Sequence, residues 1–145
     1  MFVVDTNILI YAVDRHCQEH IRCRELLEGW RKDSFPWFTT WGILYEFLRI
    51  STHTRVFKRP ILLNQAWRFV EVLLASPGLR VLSEGEHHAE AAEKTFQEIQ
   101  GISGNLIHDA HTAILMREHG IRQIYTRDTD FHRFPFLEVV DPMNL

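Results

Sequence analysis

Along the 145 residues of the chain, short unbroken apolar runs alternate with longer stretches at helical spacing. Phe2 to Val4 is the first run and stops at Asp5. Thr6 to Ala12, with apolar Ile8, Leu9, Ile10 and Ala12, predicts a short helix. Arg15 to Trp30 is mostly polar, with sparse apolar positions, and predicts a partly exposed helix. Ser34 to Thr39 has strand composition in Phe35, Trp37 and Phe38. Thr39 and Thr40 are N-cap candidates for a helix over Trp41 to Ile50. After a polar break from Ser51 to Pro60, Ile61 to Ala75 returns to helical spacing. Ser76-Pro77-Gly78 reads as a turn before a further apolar run, Leu79 to Leu82. Ser83, with Glu86 three residues on, predicts a capping box for a helix over Glu86 to Gln100. Gly101 to Asn105 is a break, and Leu106 to His119 predicts a helix closed by Gly120 at the C′ position. Gln123 to Thr126 and Leu137 to Val140 predict the last strands, with a loop and turn over Arg127 to Phe134.

Strands alternating with helices predict an α/β fold whose parallel sheet is covered by helices on both faces. Apolar runs without polar alternation predict strands buried on both sides. No repeat, low-complexity segment or linker interrupts the chain, so one domain over residues 1–145 is expected. Its 46% apolar and 24% charged residues exclude a disordered or fibrous chain. No uncharged apolar run approaches the ~18 residues of a membrane helix. The opening residues lack the basic segment of a signal peptide, so none is expected. Cys17 and Cys23 lie six apart on a predicted helix, about 600° of rotation that puts them on different faces. They match no zinc spacing, and a reducing cytoplasm is expected. Sixteen Lys and Arg against 19 Asp and Glu give a net charge of −3. That balance argues against a general nucleic-acid coat protein and leaves room for a local basic patch.

The acidic residues change the picture. Open α/β sheets bind ligands beyond the carboxyl ends of their strands, near the point where strand order reverses. Asp5 directly follows the first strand, and Asp128 and Asp130 follow the strand ending at Thr126. Glu46 has Ile43 three residues before it and Ile50 four after, which places it in an apolar helical stripe. Asp109 repeats this with Leu106 and Ala113. Both acids lie in the first two turns of their helices, the end that favours negative charge. Four such acids brought together raise one another's pKa or recruit a cation. Oxygen ligands without His or Cys suit Mg²⁺ or Mn²⁺, and such a pocket supports phosphoryl chemistry. Each acid alone has a plainer reading: Asp5 as a helix cap, Glu46 as the partner of Arg49, Asp128-Thr129-Asp130 as a turn. Their coincidence at the expected places favours the site.

Val3-Val4-Asp5-Thr6-Asn7-Ile8-Leu9-Ile10, Glu46 in a mid-chain helix, Ile107-His108-Asp109-Ala110 and Tyr125-Thr126-Arg127-Asp128-Thr129-Asp130-Phe131 together resemble the PIN domain. The chain is most similar there to the VapC-type ribonuclease toxins of toxin–antitoxin modules, over essentially its whole length. The resemblance implies a three-layer α/β/α fold with a central parallel sheet of four to five short strands. It implies an endoribonuclease dependent on Mg²⁺ or Mn²⁺, an RNA substrate, a homodimer and a cognate VapB-type antitoxin. Its catalytic acids match Asp5, Glu46, Asp109 and Asp128, and Asp130 matches an additional acid. Thr6 and Asn7 match the polar pair after the first acid, and Thr126 a hydroxyl before the fourth. Asp5, Asp109, Asp128 and Asp130 are then the expected metal ligands, with Asp5 central and Glu46 orienting or deprotonating the attacking water.

Other signals carry less. His16 and His20 are i, i+4 beside Cys17 but lack a third ligand at zinc spacing. His108 and His111 read as packing or supporting groups, and His87-His88 as solvated surface. Arg55, Lys58 and Arg59, with Arg49 before them, form the most basic stretch and are the candidates for contacting RNA backbone. Trp30, Trp37, Trp41 and Trp67 read mainly as core, although the helices Arg15 to Trp30 and Trp41 to Ile50 could leave a groove for an antitoxin helix. The rival functions are a catalytically silent PIN-like binding module, a PIN nuclease of RNA processing without an antitoxin, and a doubly wound phosphatase or phospho-acceptor. The last is disfavoured: Asp5-Thr6-Asn7-Ile8-Leu9 is not the Asp-x-Asp-x-Thr of haloacid-dehalogenase-like phosphatases. No Lys follows Lys94, where a receiver domain would need one.

Overall fold

The computed structural model describes residues 1–145. Five short parallel strands, β1 (Phe2–Val4), β2 (Trp37–Thr40), β3 (Leu79–Leu82), β4 (Gln123–Tyr125) and β5 (Glu138–Val140), form one sheet in the order β3-β2-β1-β4-β5. Helices α1 (Thr6–Val13) and α2 (His20–Lys32) join β1 to β2, and α3 (Trp41–Ser51) and α4 (Leu63–Leu74) join β2 to β3. Helices α5 (His88–Glu98) and α6 (Leu106–Glu118) carry the chain back across the sheet to β4, and a 3₁₀ turn over Thr129–Arg133 precedes β5. The crossovers run one way from β1 to β3 and the other way to β4. Right-handed connections then set α1–α4 and α5–α6 on opposite faces. This is the expected three-layer α/β/α arrangement, and strand order reverses between β1 and β4.

The central strand β1 is buried throughout, and Val3 pairs with Ile124 in β4. Trp30 of α2 covers this region, its ring 4.9 Å from Phe2 and 4.8 Å from Tyr125. A continuous apolar core runs from Phe2 to Phe134. Burial on both sides holds for the centre of the sheet only. Arg80 in β3 and Glu138 in β5 are exposed, because edge strands face solvent along one side.

Several helix ends follow local chemistry. Thr40 caps α3, its Oγ1 accepting from the Ile43 N–H at 3.0 Å. Gly120, at φ 67°, closes α6 in a left-handed turn, with Ile121 N–H donating to the Met116 carbonyl and Gly120 N–H to that of Arg117. The start of α5 departs from expectation. No capping box forms at Ser83 and Glu86, and the helix begins at His88 without a side-chain cap. Contacts from α6 hold the loop instead: His119 Nε2 donates to the Ser83 carbonyl, and Gly85 N–H donates to Glu118 Oε1. Similarly, α2 starts at His20 rather than Arg15, after turns in which Cys17 N–H bonds the Asp14 carbonyl. No helix is long and apolar enough to cross a membrane.

Candidate active site

Parallel pairing of Val4 with Tyr125 brings the residues that follow these strands, Asp5 and Thr126, side by side at the sheet's carboxyl edge. Asp5 caps α1, accepting from the Thr6 N–H at 2.7 Å. Its other oxygen accepts from Asn7 Nδ2 at 2.8 Å and from the Thr126 hydroxyl at 2.7 Å. The buried Thr126 hydroxyl also accepts from Asn7 Nδ2 and from the Asp128 N–H, both at 2.9 Å. A hydroxyl offers one donor and two acceptor positions, and all three are used here. Thr126 thereby locks Asp5 to Asp128 across the crevice. Asn7 adds a second tie, its Oδ1 accepting from the Arg127 N–H at 3.2 Å. Thr6 turns its hydroxyl away, toward the Ile43 carbonyl of α3 at 3.4 Å.

Asp128 starts the 3₁₀ turn by accepting from the Asp130 N–H at 2.9 Å, which presents both acids on one rim. Asp109, in the first turn of α6, comes from the opposite side. Carboxylate oxygens of Asp109, Asp128 and Asp130 all lie within 4.8 Å of one another. Asp5 sits deeper than these three, 8% exposed. Burial pushes the Asp5 carboxyl up to about 6, against the pull of its three hydrogen bonds and with help from Asp128. Burial, then the charges of Asp128, Asp5, Asp130 and Glu46, push Asp109 up to about 7. Three separate segments therefore deliver like charges to one pocket.

Glu46, half-buried on α3, belongs to the same electrostatic neighbourhood but is held differently. Arg49 binds both its oxygens, at 2.6 and 2.9 Å. That hydrogen bonding, outweighing partial burial, holds the Glu46 carboxyl below its usual range. Glu46 is thus the partner of Arg49, while its charge is the smallest of those that act on Asp109. Asp5, Asp109 and Asp128 have no basic partner in this chain, and Asp130 has only Arg133 at 4.0 Å. The pocket fits a hard divalent cation, because its donors are carboxylate oxygens gathered at short range with little neutralising charge.

Arg55, Lys58 and Arg59 lie outside this group. They are exposed on the loop after α3 and make no ion pair, while Phe57 anchors the loop in the core. Arg49 is committed to Glu46.

Two features escape sequence reasoning. Arg127, between Thr126 and Asp128, is paired with the buried Glu19 and with Asp141 at 3.3 Å, which ties the acidic rim to the start of α2 and the chain's end. The second is on the far side of α6. His88, expected on the solvated surface, has its Nδ1 2.5 Å from Glu118 Oε2, and His111 Nε2 is 2.7 Å from Glu84 Oε1. Only contacts between residues distant in the chain reveal either.

Residues 2–137 match the PIN domain family. Ribonuclease VapC43 of Mycobacterium tuberculosis is 34% identical over 144 residues, covering 99% of this chain and 97% of that protein. Ribonuclease VapC33 of the same organism is 31% identical, covering 99% of each. Among solved structures, the VapC20 toxin of M. tuberculosis, described as cleaving the sarcin-ricin loop, superposes with a TM-score of 0.69 at 21% identity, over 96% of this chain and 98% of that one. VapBC2 of Rickettsia felis, solved with a fragment of its promoter DNA, superposes with a TM-score of 0.65 at 18% identity over 96% of each chain. These structural likenesses are likenesses of fold.

Proposed function

The chain belongs to the PIN domain family, and from that premise we propose that it is a metal-dependent endoribonuclease acting as the toxin of a VapBC-type pair. Relatives named VapC ribonucleases, aligned along nearly their whole length, support the activity and a VapB-type antitoxin as partner. The observation that carries the metal dependence is the trio Asp109, Asp128 and Asp130 at the reversal point of the sheet, with Arg133 at 4.0 Å from Asp130 as its one basic partner. A silent binding module would gain nothing from that repulsion. The continuous core supports one domain over residues 1–145, and free Cys17 and Cys23 suit the cytoplasm. A homodimer is the assembly we infer from the family resemblance.

In this reading Asp109, Asp128 and Asp130, with Asp5 behind them, hold Mg²⁺ or Mn²⁺. When bound, such an ion supplies positive charge to phosphate oxygens and lowers the pKa of a water. The reaction is attack of water on phosphorus with loss of one ribose oxygen, which leaves with a proton. Glu46 is ionised at neutral pH, so it can accept a hydrogen bond from the incoming water and orient it. Its lowered basicity makes it a weak proton acceptor, which favours orientation over proton removal. Thr126, Asn7 and Thr6 position Asp5 through hydrogen bonds. Arg55, Lys58 and Arg59 offer charge to the RNA backbone.

Incubation of purified protein with total RNA tests the reading. Cleavage is expected with Mg²⁺ or Mn²⁺ and is expected to stop with EDTA or in Asp128→Asn. Cleavage that persists in both would overturn it.

A further inference from the structure

We propose that Glu84, His88 and His111 form a second cation site, for a borderline-soft divalent ion of the zinc class, that fastens the β3–α5 loop and the start of α5 to α6. One ligand atom from each of these residues lies within 4.8 Å of the other two. The rings of His88 and His111 stand edge to face with centroids 5.8 Å apart. Two imidazoles and a carboxylate are a zinc-type donor set that leaves a fourth position for water. Hard Mg²⁺ or Mn²⁺ prefers the oxygen pocket across the helix.

Glu118 makes the site more than a surface coincidence. Its side chain is only 7% exposed, and its two oxygens are divided between His88 Nδ1 at 2.5 Å and the Gly85 N–H at 3.2 Å. A carboxylate accepts the hydrogen on Nδ1, which leaves Nε2 as the ring nitrogen available to a metal. Such a carboxylate behind a ligating His also sets the ring's direction. Gly85 in turn fixes the backbone beside Glu84. His111 Nε2 and Glu84 Oε1 already lie in direct contact at 2.7 Å. A cation seated between them would take Nε2 of a neutral His111 ring carrying its hydrogen on Nδ1, and the Glu84 carboxylate. The consequence is structural. Helix α5 begins without a side-chain cap, and a cation bridging Glu84, His88 and His111 would anchor that start.

Calorimetric titration with Zn²⁺ in excess Mg²⁺, which occupies the oxygen pocket, tests the proposal. One tight equivalent is expected in the wild type. At least a tenfold loss of affinity is expected in His111→Ala and His88→Ala, and about tenfold in Glu118→Gln. No loss is expected in His16→Ala. Wild-type affinity in His111→Ala, or no Zn²⁺ uptake in Mg²⁺, overturns it. Ring resonances in the unaltered protein guard against misfolded variants: Zn²⁺ should shift His88 and His111 first among the nine histidines. Earlier shifts elsewhere would also overturn the proposal.

Discussion

Helix α6 carries Asp109 and His111 two residues apart, and its two sides face pockets of opposite electrical character. On the Asp109 side, carboxylates converge from β1, β4 and α6 with scarcely a cation among them. On the His111 side each carboxylate meets an imidazole: Glu84 with His111, Glu118 with His88. The first pocket is strained while it holds only protons and water. The second is satisfied by contacts between its own side chains. Like-charge repulsion in this fold is therefore concentrated in one place. It lies at the reversal point of the sheet, where catalysis by a bound cation would draw on it.

Asp109→Asn should alter the acidic pocket most. Cleavage is expected to fall by roughly 10²–10⁴-fold, the range for losing a positioned charged group. Metal-free stability should move the other way at pH 8. Asp109 sits at about 7 and Asp5 at about 6 in the folded chain, each above its ordinary 3.8. Folding therefore takes up protons between those values. The favourable contribution is complete below about pH 3.8 and is lost as pH rises through 6 to 7. Asp109→Asn should raise the melting temperature at pH 8 in EDTA and flatten its fall between pH 5 and 8. Glu84→Gln should bring no such gain. Hydrogen bonds, from its own backbone and then from His111, hold the Glu84 carboxyl below its usual range. Equal gains in the two variants would erase the contrast. Asp5→Asn is a poorer probe, because the amide loses acceptor capacity facing three donors.

A smaller effect sharpens the acidic side. Thr126→Val removes the hydroxyl that joins Asp5 to Asp128 and leaves the Asp128 N–H without its partner. Urea denaturation should show a loss of about 1–3 kcal/mol. Cleavage should fall about 10–100-fold, as for other groups that orient ligands. Thr126→Ser should recover most of both. Failure of the Ser variant to recover activity would mean that the methyl, not the hydroxyl, sets the site.

The readable parts of this site are those written along one dimension. Asp5 and Asp128 follow apolar runs directly, so strand ends mark them. Asp109 and Glu46 interrupt apolar stripes at helical spacing. Thr40 and Gly120 signal helix ends through bonds to residues within a few positions. Legibility stops where a partner comes from elsewhere in the chain. Ser83 and Glu86 satisfy the local rule for a cap, yet His119 and Glu118 of α6 claim that loop. His88 looks solvated beside His87 until α6 closes over it with Glu118. Arg127 shows no sign in sequence of its part-buried pairing with Glu19, 108 positions away.

The smallest effects concern the cations of α3 and the loop after it, which divide into paired and unpaired. Arg49 is bound to Glu46 through two hydrogen bonds, whereas Arg55, Lys58 and Arg59 have no acidic partner. Free cations release counterions when they meet phosphate, and each contact contributes about 0.7 to the salt slope on single-stranded RNA. Replacing Arg55, Lys58 and Arg59 by Gln should therefore reduce the slope of RNA binding by up to about 2. Binding measured from low to moderate salt checks this. Arg49→Gln should leave the slope nearly unchanged and act instead on the pocket. Freed of its partner, Glu46 returns toward its ordinary pKa and adds uncompensated charge beside Asp109. The Mg²⁺ concentration giving half-maximal cleavage should then fall by roughly 1.4–5-fold, the worth of an exposed ion pair. A fall in salt slope for Arg49→Gln equal to that of a loop cation would place Arg49 on the RNA and leave the pocket with less internal neutralisation than its geometry implies.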